Sequence, residues 1–204
     1  MSEAPRYEAV TTPAGVAVYP WITKADTEYV PTGVFKVDLS IPEELATDII
    51  AKLERVRDEF IATLPVAKQQ ALAPKPVYLI ENTRPEYPED ATKEQKAEIK
   101  HNHAPVPTGN ILLRFKLKAK VTPKEGDTFD QAPVVVDAAT GEAITKPVYD
   151  GSIIRIKGQV VPYTNSSSGT VGVTLRMRAV QVIELVSGSG DGSGAGFWTD
   201  FGSE

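Results

Sequence analysis

The chain has 204 residues, no cysteine, and 22 Lys+Arg against 27 Asp+Glu, a formal net charge of −5 at pH 7. At 41% hydrophobic and 24% charged it lies in the globular range, outside the compositions of disordered and membrane chains. The absence of cysteine excludes disulfides, Cys-ligated zinc and thiol catalysis, and the acidic total, taken alone, argues against nucleic acid as a partner.

The first residues, MSEAPRYEAV, have neither the basic nor the apolar region of a signal peptide. No apolar run approaches the roughly 20 residues of a membrane span, so a reducing cytoplasm is the expected compartment and no membrane the expected partner. In AVYPWI (17–22), Tyr19 and Trp21 fit a core or staple role as well as an exposed one. GVFKVDLSI (33–41) alternates, with Phe35, Val37, Leu39 and Ile41 on one face and Lys36, Asp38 and Ser40 on the other, which predicts a strand. From 42 to 64 the period changes. Leu45, Ile49, Leu53, Val56, Phe60 and Leu64 recur at steps of four and three, the mark of one amphipathic helix. Ser40 and Glu43 form a candidate capping box, and Pro65 a stop. Residues 65–110 are proline-dotted and charged, with one apolar run at 77–80 and a weak helical stretch near 92–100, and read as an insertion or lid.

Three more strands follow at 111–121, 152–161 and 169–186, with a hairpin between the first two whose turn is Asp-Ala-Ala-Thr-Gly (137–141). Five or more strands and one good helix, without repeating βα alternation, predict a mainly β fold, a small barrel or sandwich with a helix packed on it. Residues 187–196 read as a flexible Gly/Ser linker with a reach on the order of 17 Å, and FWTDF beyond it sets three aromatics beside a carboxylate.

Segment by segment, the charge changes meaning. Residues 1–110 carry 12 basic and 17 acidic groups, 111–186 carry 10 and 7, and 187–204 carry none and 3. Strand parity then sorts the basic residues. Arg114, Lys116, Lys118 and Lys120 lie opposite an apolar face that holds Phe115; Arg155 and Lys157, with Tyr163 continuing their side, lie opposite Ile154, Ile156 and Val160. Arg176 and Arg178 lie opposite Leu175 and Met177, and the parity must slip after Ala179, where a bulge is expected. No acidic residue shares those faces within the three strands, whereas solvent decoration alone would mix the signs. A cationic sheet suits a flexible polyanion, with Lys and Arg on phosphates and rings under bases. Tyr163, Tyr149, Tyr19 and Trp21 are the candidate platforms. Phe197, Trp198, Asp200, Phe201 and Glu204 of the tail imitate a short single strand, with carboxylates for phosphates and rings for bases.

AVYPWITKADTEYVPTGVFKVDLSI, NILLRFKLKAK and YDGSIIRIKGQVVPYTNSSSGTVGVTLRMRAVQVIELV, followed by a Gly/Ser linker, resemble the OB-fold single-stranded DNA-binding proteins of tailed, especially short-tailed, bacteriophages. The resemblance spans most of 14–204 and is weakest over 65–105. It implies a five-stranded OB barrel with an inserted amphipathic helix over residues 1–186, and a disordered linker and acidic-aromatic tail over 187–204. It further implies sequence-independent binding of single-stranded DNA in phage replication, recombination and repair, in the cytoplasm of the infected host. The implied partners are single-stranded DNA, a replication polymerase or helicase-primase of phage or host met by the tail, and a second copy of the chain in a homodimer. One departure is the tail itself, which has three acidic side chains and ends Phe-Gly-Ser-Glu.

No catalytic constellation emerges, and neither enzymatic activity, a cofactor nor a metal is expected. His101-Asn102-His103 is contiguous, whereas a nuclease motif of those letters is spread over a ββα-metal fold; two histidines near Glu98 make a weak metal site. The glycines of 188–196 lack the following helix that a dinucleotide fingerprint needs. The competing reading from another class is a phage structural or assembly protein built on the same β scaffold.

Overall fold

The structure, a computed structural model, describes residues 7–123 and 126–186. Eleven strands and three helices follow in chain order among them. They are β1 (Glu8–Thr11), β2 (Gly15–Asp26), β3 (Val34–Pro42), α1 (Glu43–Thr63), α2 (Val66–Ala71), β4 (Ala73–Pro74), β5 (Leu79–Asn82) and α3 (Lys93–Asn102). The second half adds β6 (Pro107–Lys118), β7 (Lys120–Val121), β8 (Phe129–Asp130), β9 (Val134–Asp137), β10 (Ile153–Asn165) and β11 (Thr170–Glu184).

Five of these strands close a barrel in the order β2-β3-β6-β11-β10 and back to β2. The β2–β3, β3–β6 and β10–β11 ladders are antiparallel and long. Closure rests on two short contacts, Leu175–Arg176 parallel to Phe115–Lys116 and Ile153–Ile154 antiparallel to Gly15–Val16. This is the five-stranded barrel of OB folds, as the resemblance implies. The free edges are covered in pieces: β1 pairs β10 at Lys157–Val160, β5 pairs β6, and β4 and β9 pair the two ends of β11. Covering an edge removes a template for unwanted strand pairing.

Period-two alternation places the core where parity predicts it. Phe35, Val37, Leu39 and Ile41 of β3, Ile111, Leu113, Phe115 and Leu117 of β6, and Ile154, Ile156 and Val160 of β10 are all buried. Gly158 completes that face of β10 because nothing larger fits. A Cβ there would lie 2.7 Å from the Arg176 carbonyl oxygen and 3.0 Å from the Phe115 ring, so the glycine lets Phe115 cross the barrel interior. Gly158→Ala is expected to cost about 1–3 kcal/mol by overpacking, read as a lower urea midpoint at unchanged slope. A variant as stable as the parent would show that the β10–β11 ladder yields there.

Helix α1 occupies 43–63 against an expected 42–64 and lies against β3, β6, β10 and β11, four of the five barrel strands, which sets it across one end of the barrel. Its core face is Ala46, Ile49 and Leu53, whereas Leu45, expected on that face, is 59% exposed. The expected capping box does not form. Pro42 is the N-cap, without a side-chain bond, because Ser40 is still inside β3 and its hydroxyl donates to Glu81 Oε2 at 2.9 Å. The same Glu81 oxygen accepts from Thr108 Oγ1 at 3.1 Å and Asn110 Nδ2 at 3.1 Å, which fastens β5 of the insertion to the barrel wall. A capping box does appear at Thr92–Gln95, starting α3 in the stretch that reads as weakly helical.

The 137–141 turn forms as expected, with Asp137 Oδ1 accepting the amides of Ala139 at 2.8 Å and Thr140 at 2.9 Å. Those amides hold the Asp137 carboxyl below its ordinary range. The bulge expected after Ala179 is one residue earlier. Lys157 opposes Ala179 and Gly158 opposes Met177, so Arg178 is the extra residue, and the slip lets Met177, Val180 and Val182 all face inward. The linker and tail, 187–204, lie outside the described residues. Among the described residues no helix is long and apolar enough to cross a membrane.

Candidate nucleic-acid interface

The barrel registers align one row of outward side chains across all five strands. Trp21 of β2 opposes Lys36 of β3, Lys36 opposes Lys116 of β6, Lys116 opposes Arg176 of β11, and Arg176 opposes Gln159 of β10. Neighbouring strands stand about 4.8 Å apart, so the row runs over roughly 20 Å of surface. Arg178 extends it, with Nε and Nη2 both donating to Gln159 Oε1 at 2.9 and 2.8 Å. Lys157 and Arg155 follow along β10, exposed and facing Ala179 and Gln181 across the ladder. Among the described residues no carboxylate lies within salt-bridge distance of Lys116, Lys118, Arg155, Lys157, Arg176 or Arg178.

Two cations are compensated. Arg114 forks onto Asp38 of β3, with Nε to Oδ1 at 2.8 Å and Nη2 to Oδ2 at 2.7 Å. Asp38 thus corrects the expectation that acidic groups avoid this surface: it enters from β3, which interleaves with the basic strands only in the folded sheet. Lys36 pairs with the buried Asp26 at 2.5 Å, and that ammonium, with the Glu28 amide, holds the Asp26 carboxyl below its ordinary range. Lys120 does not join the barrel face. The chain leaves the barrel after Lys118 for a two-stranded ribbon of β7 and β8, where Lys120 lies 3.9 Å from Asp130.

Tyr19 and Trp21 are exposed, at 61% and 40%, between the buried Val18 and Ile22, so the platform role is available to both and a core role to neither. Tyr19 sits at φ +50°, a left-handed conformation that costs a non-glycine residue energy and clusters at functional sites. Asp150 stabilises it by accepting the Tyr19 amide on Oδ1, while Oδ2 takes Arg84 Nη1 at 3.1 Å. The Arg84 guanidinium in turn lies 4.7 Å above the Tyr19 ring centroid. Tyr149 is exposed on the turn beside this cluster. Tyr163 is on the expected side but farther along, about 13 Å from Gln159 at the usual rise per residue. Its ring lies against Gly172, where a Cβ would be 3.1 Å from Oη, so part of the ring surface is already engaged.

Val18, Tyr19, Lys36, Val37, Asp38, Arg114 and Lys116 line a shallow groove of about 300 Å³, which joins the ring platform to the head of the cation row. Three residues of this surface escape a strand-by-strand reading. Lys36 alternates onto the polar face of β3, a signal that was present. Arg84 comes from the insertion, and Tyr7, whose ring lies 5.3 Å from the Arg176 guanidinium carbon, precedes β1; neither carries a local signal. His103 Nε2 lies 2.9 Å from the Thr83 carbonyl oxygen, a bond that ties α3 to the end of β5. Among the described residues no group of three or more His, Asp or Glu is gathered as a metal site.

No protein-family model and no curated protein matches the chain. Among solved structures the chain is similar to gp2.5, a single-stranded DNA binding protein encoded by bacteriophage T7, at 20% identity and a TM-score of 0.65, with 98% of each chain covered. It is also similar to the single-stranded DNA-binding protein from bacteriophage Enc34 in complex with ssDNA, at 14% identity and a TM-score of 0.50, with 89% of each chain covered. Both are likenesses of fold.

Proposed function

We propose that the chain is a non-enzymatic protein that binds single-stranded DNA without regard to sequence, in the DNA replication and recombination of a bacteriophage. The observation that carries this reading is the registered row from Trp21 through Lys36, Lys116 and Arg176 to Gln159, which joins exposed rings to Lys116 and Arg176, two cations that lack carboxylate partners among the described residues. A duplex offers only base edges in its grooves, whereas a single strand offers ring faces to Tyr19 and Trp21 while its phosphates follow the cations. The two neighbouring folds, each a phage single-stranded DNA-binding protein, support the same reading. Titration with single- and double-stranded oligonucleotides of matched length at several salt concentrations tests it. Tight binding to single strands alone is expected, with log K falling at a slope near −3 in log salt if about four phosphates are engaged. Equal affinity for the duplex, or affinity indifferent to salt, would overturn it.

The division of the chain follows from the same reading, with 1–186 as the binding domain and 187–204 as linker and tail. Phe197, Trp198, Asp200, Phe201 and Glu204 compete for the cationic row and, when nucleic acid displaces them, dock on a replication polymerase or helicase-primase. Removing 197–204 is expected to raise affinity for single strands, with a gain that shrinks as salt rises. Unchanged affinity at every salt concentration would eliminate the competition.

A further inference from the structure

The groove that joins rings to cations is nearly neutral at its centre. Asp38, whose side chain is only 12% exposed, takes both Nε and Nη2 of Arg114, and the two charges cancel. This bond uses the side-on face of the guanidinium. It leaves the end-on pair, Nη1–H with the second Nη2–H, without a partner among the described residues, on a side chain that is 50% exposed. The side chain is also fixed: a forked ion pair removes the rotamer freedom by which a surface arginine follows a phosphate.

A phosphate gains little at such a group. The Arg114–Asp38 pair carries no net charge and so releases no counterion, and the carboxylate repels phosphate oxygens, whereas Lys116 and Arg176 lie beside it without carboxylate partners among the described residues. On the single-strand reading, a base stacked on Tyr19 would turn its edge to the centre of the groove, since the groove wall holds both Tyr19 and Arg114. A rigid pair of parallel N–H donors matches one base edge best, the O6 and N7 acceptors of guanine.

Resting on the single-strand reading above, we propose that Arg114, locked by Asp38, is a base-edge reader that gives this otherwise sequence-independent groove a preference for guanine. Lys116 and Arg176 beside it carry the phosphates.

The test uses the full chain and short oligothymidylates that carry at their centre one guanine or one 7-deazaguanine, which lacks the N7 acceptor. The guanine probe is expected to bind about five-fold tighter, the lower end for a bidentate contact because the site is half open to water. Arg114→Gln with Asp38→Asn, which removes the neutral pair without changing the net charge of the groove, is expected to abolish that difference while leaving the salt slope as in the parent chain. Arg114→Lys, which keeps an ion pair with Asp38 but loses the fork, is expected to abolish it too, and guards against misfolding as the cause. Lys116→Gln is expected to keep the difference and reduce the magnitude of the slope by about 0.7. A parent chain that does not distinguish the two probes overturns the proposal, as does an Arg114→Gln, Asp38→Asn variant whose slope falls by about 0.7 on every probe. Failure of the parent chain to bind any single strand would instead sink the functional reading on which the proposal rests.

Discussion

Reversing two neighbouring charges, Lys116→Glu with Arg176→Glu, is expected to lower affinity for a single-stranded oligonucleotide by roughly 100-fold or more at low salt. The two residues are cross-strand partners at the β6–β11 contact, with no carboxylate beside either among the described residues. Each loses a charge-assisted bond worth about 1.5–3 kcal/mol; the lower figure applies at an exposed site, and two such losses are about 3 kcal/mol. The salt slope is expected to flatten by about 1.4, two phosphates at 0.7 each. Reversing Lys93 and Lys96 on α3 changes net charge equally and serves as the control. An affinity loss no larger than the control's would mean that the row is surface decoration. Both side chains point away from the core, so a melting temperature close to the parent's is part of the expected result.

The second large effect separates stacking from charge. Tyr19→Ala with Trp21→Ala is expected to weaken binding by about 30-fold or more, since each base–ring stack contributes about 1–3 kcal/mol. Neither ring is charged, so the salt slope is expected to stay that of the parent, the opposite signature to the charge reversal. Tyr19→Asn serves as a companion, because asparagine tolerates the left-handed backbone that Tyr19 adopts and isolates loss of the ring from a change in strain. The chain has two tryptophans, so in a Trp198→Phe background the emission reports Trp21 alone, and quenching on addition of oligothymidylate is expected. Unquenched emission at saturating oligonucleotide, with parental affinity in the double variant, would remove both rings from the interface.

Much of this surface was legible because strands alternate with a period of two. Ile111 to Leu117 and Ile154 to Val160 show their inner faces directly, and so place Arg114, Lys116, Arg155 and Lys157 outside. Local signals failed where a residue was already committed elsewhere. Ser40 and Glu43 have the spacing of a capping box, yet the Ser40 hydroxyl is bound to Glu81, some forty residues on, before α1 begins. Tyr19 and Trp21 were ambiguous for a related reason: two aromatics in an apolar stretch suit a core as well as a platform, and only closure of β2 around the barrel turns both outward.

A net charge of −5 argues against nucleic acid, and the same composition divided along the chain argues for it. The division of charge, the alternation within each strand and the single amphipathic helix are properties of neighbours in sequence, and the amino-acid order alone determines them. Which cations are left uncompensated is a property of neighbours in space. The register of β3 on β6 sets Asp38 against Arg114, the closure of the barrel sets Lys116 against Arg176, and the packing of the insertion sets Arg84 over Tyr19. An ion pair or a stack is decided over a few ångströms, between residues that the chain holds far apart, Asp38 and Arg114 by 76 positions, so only the tertiary structure could sort them.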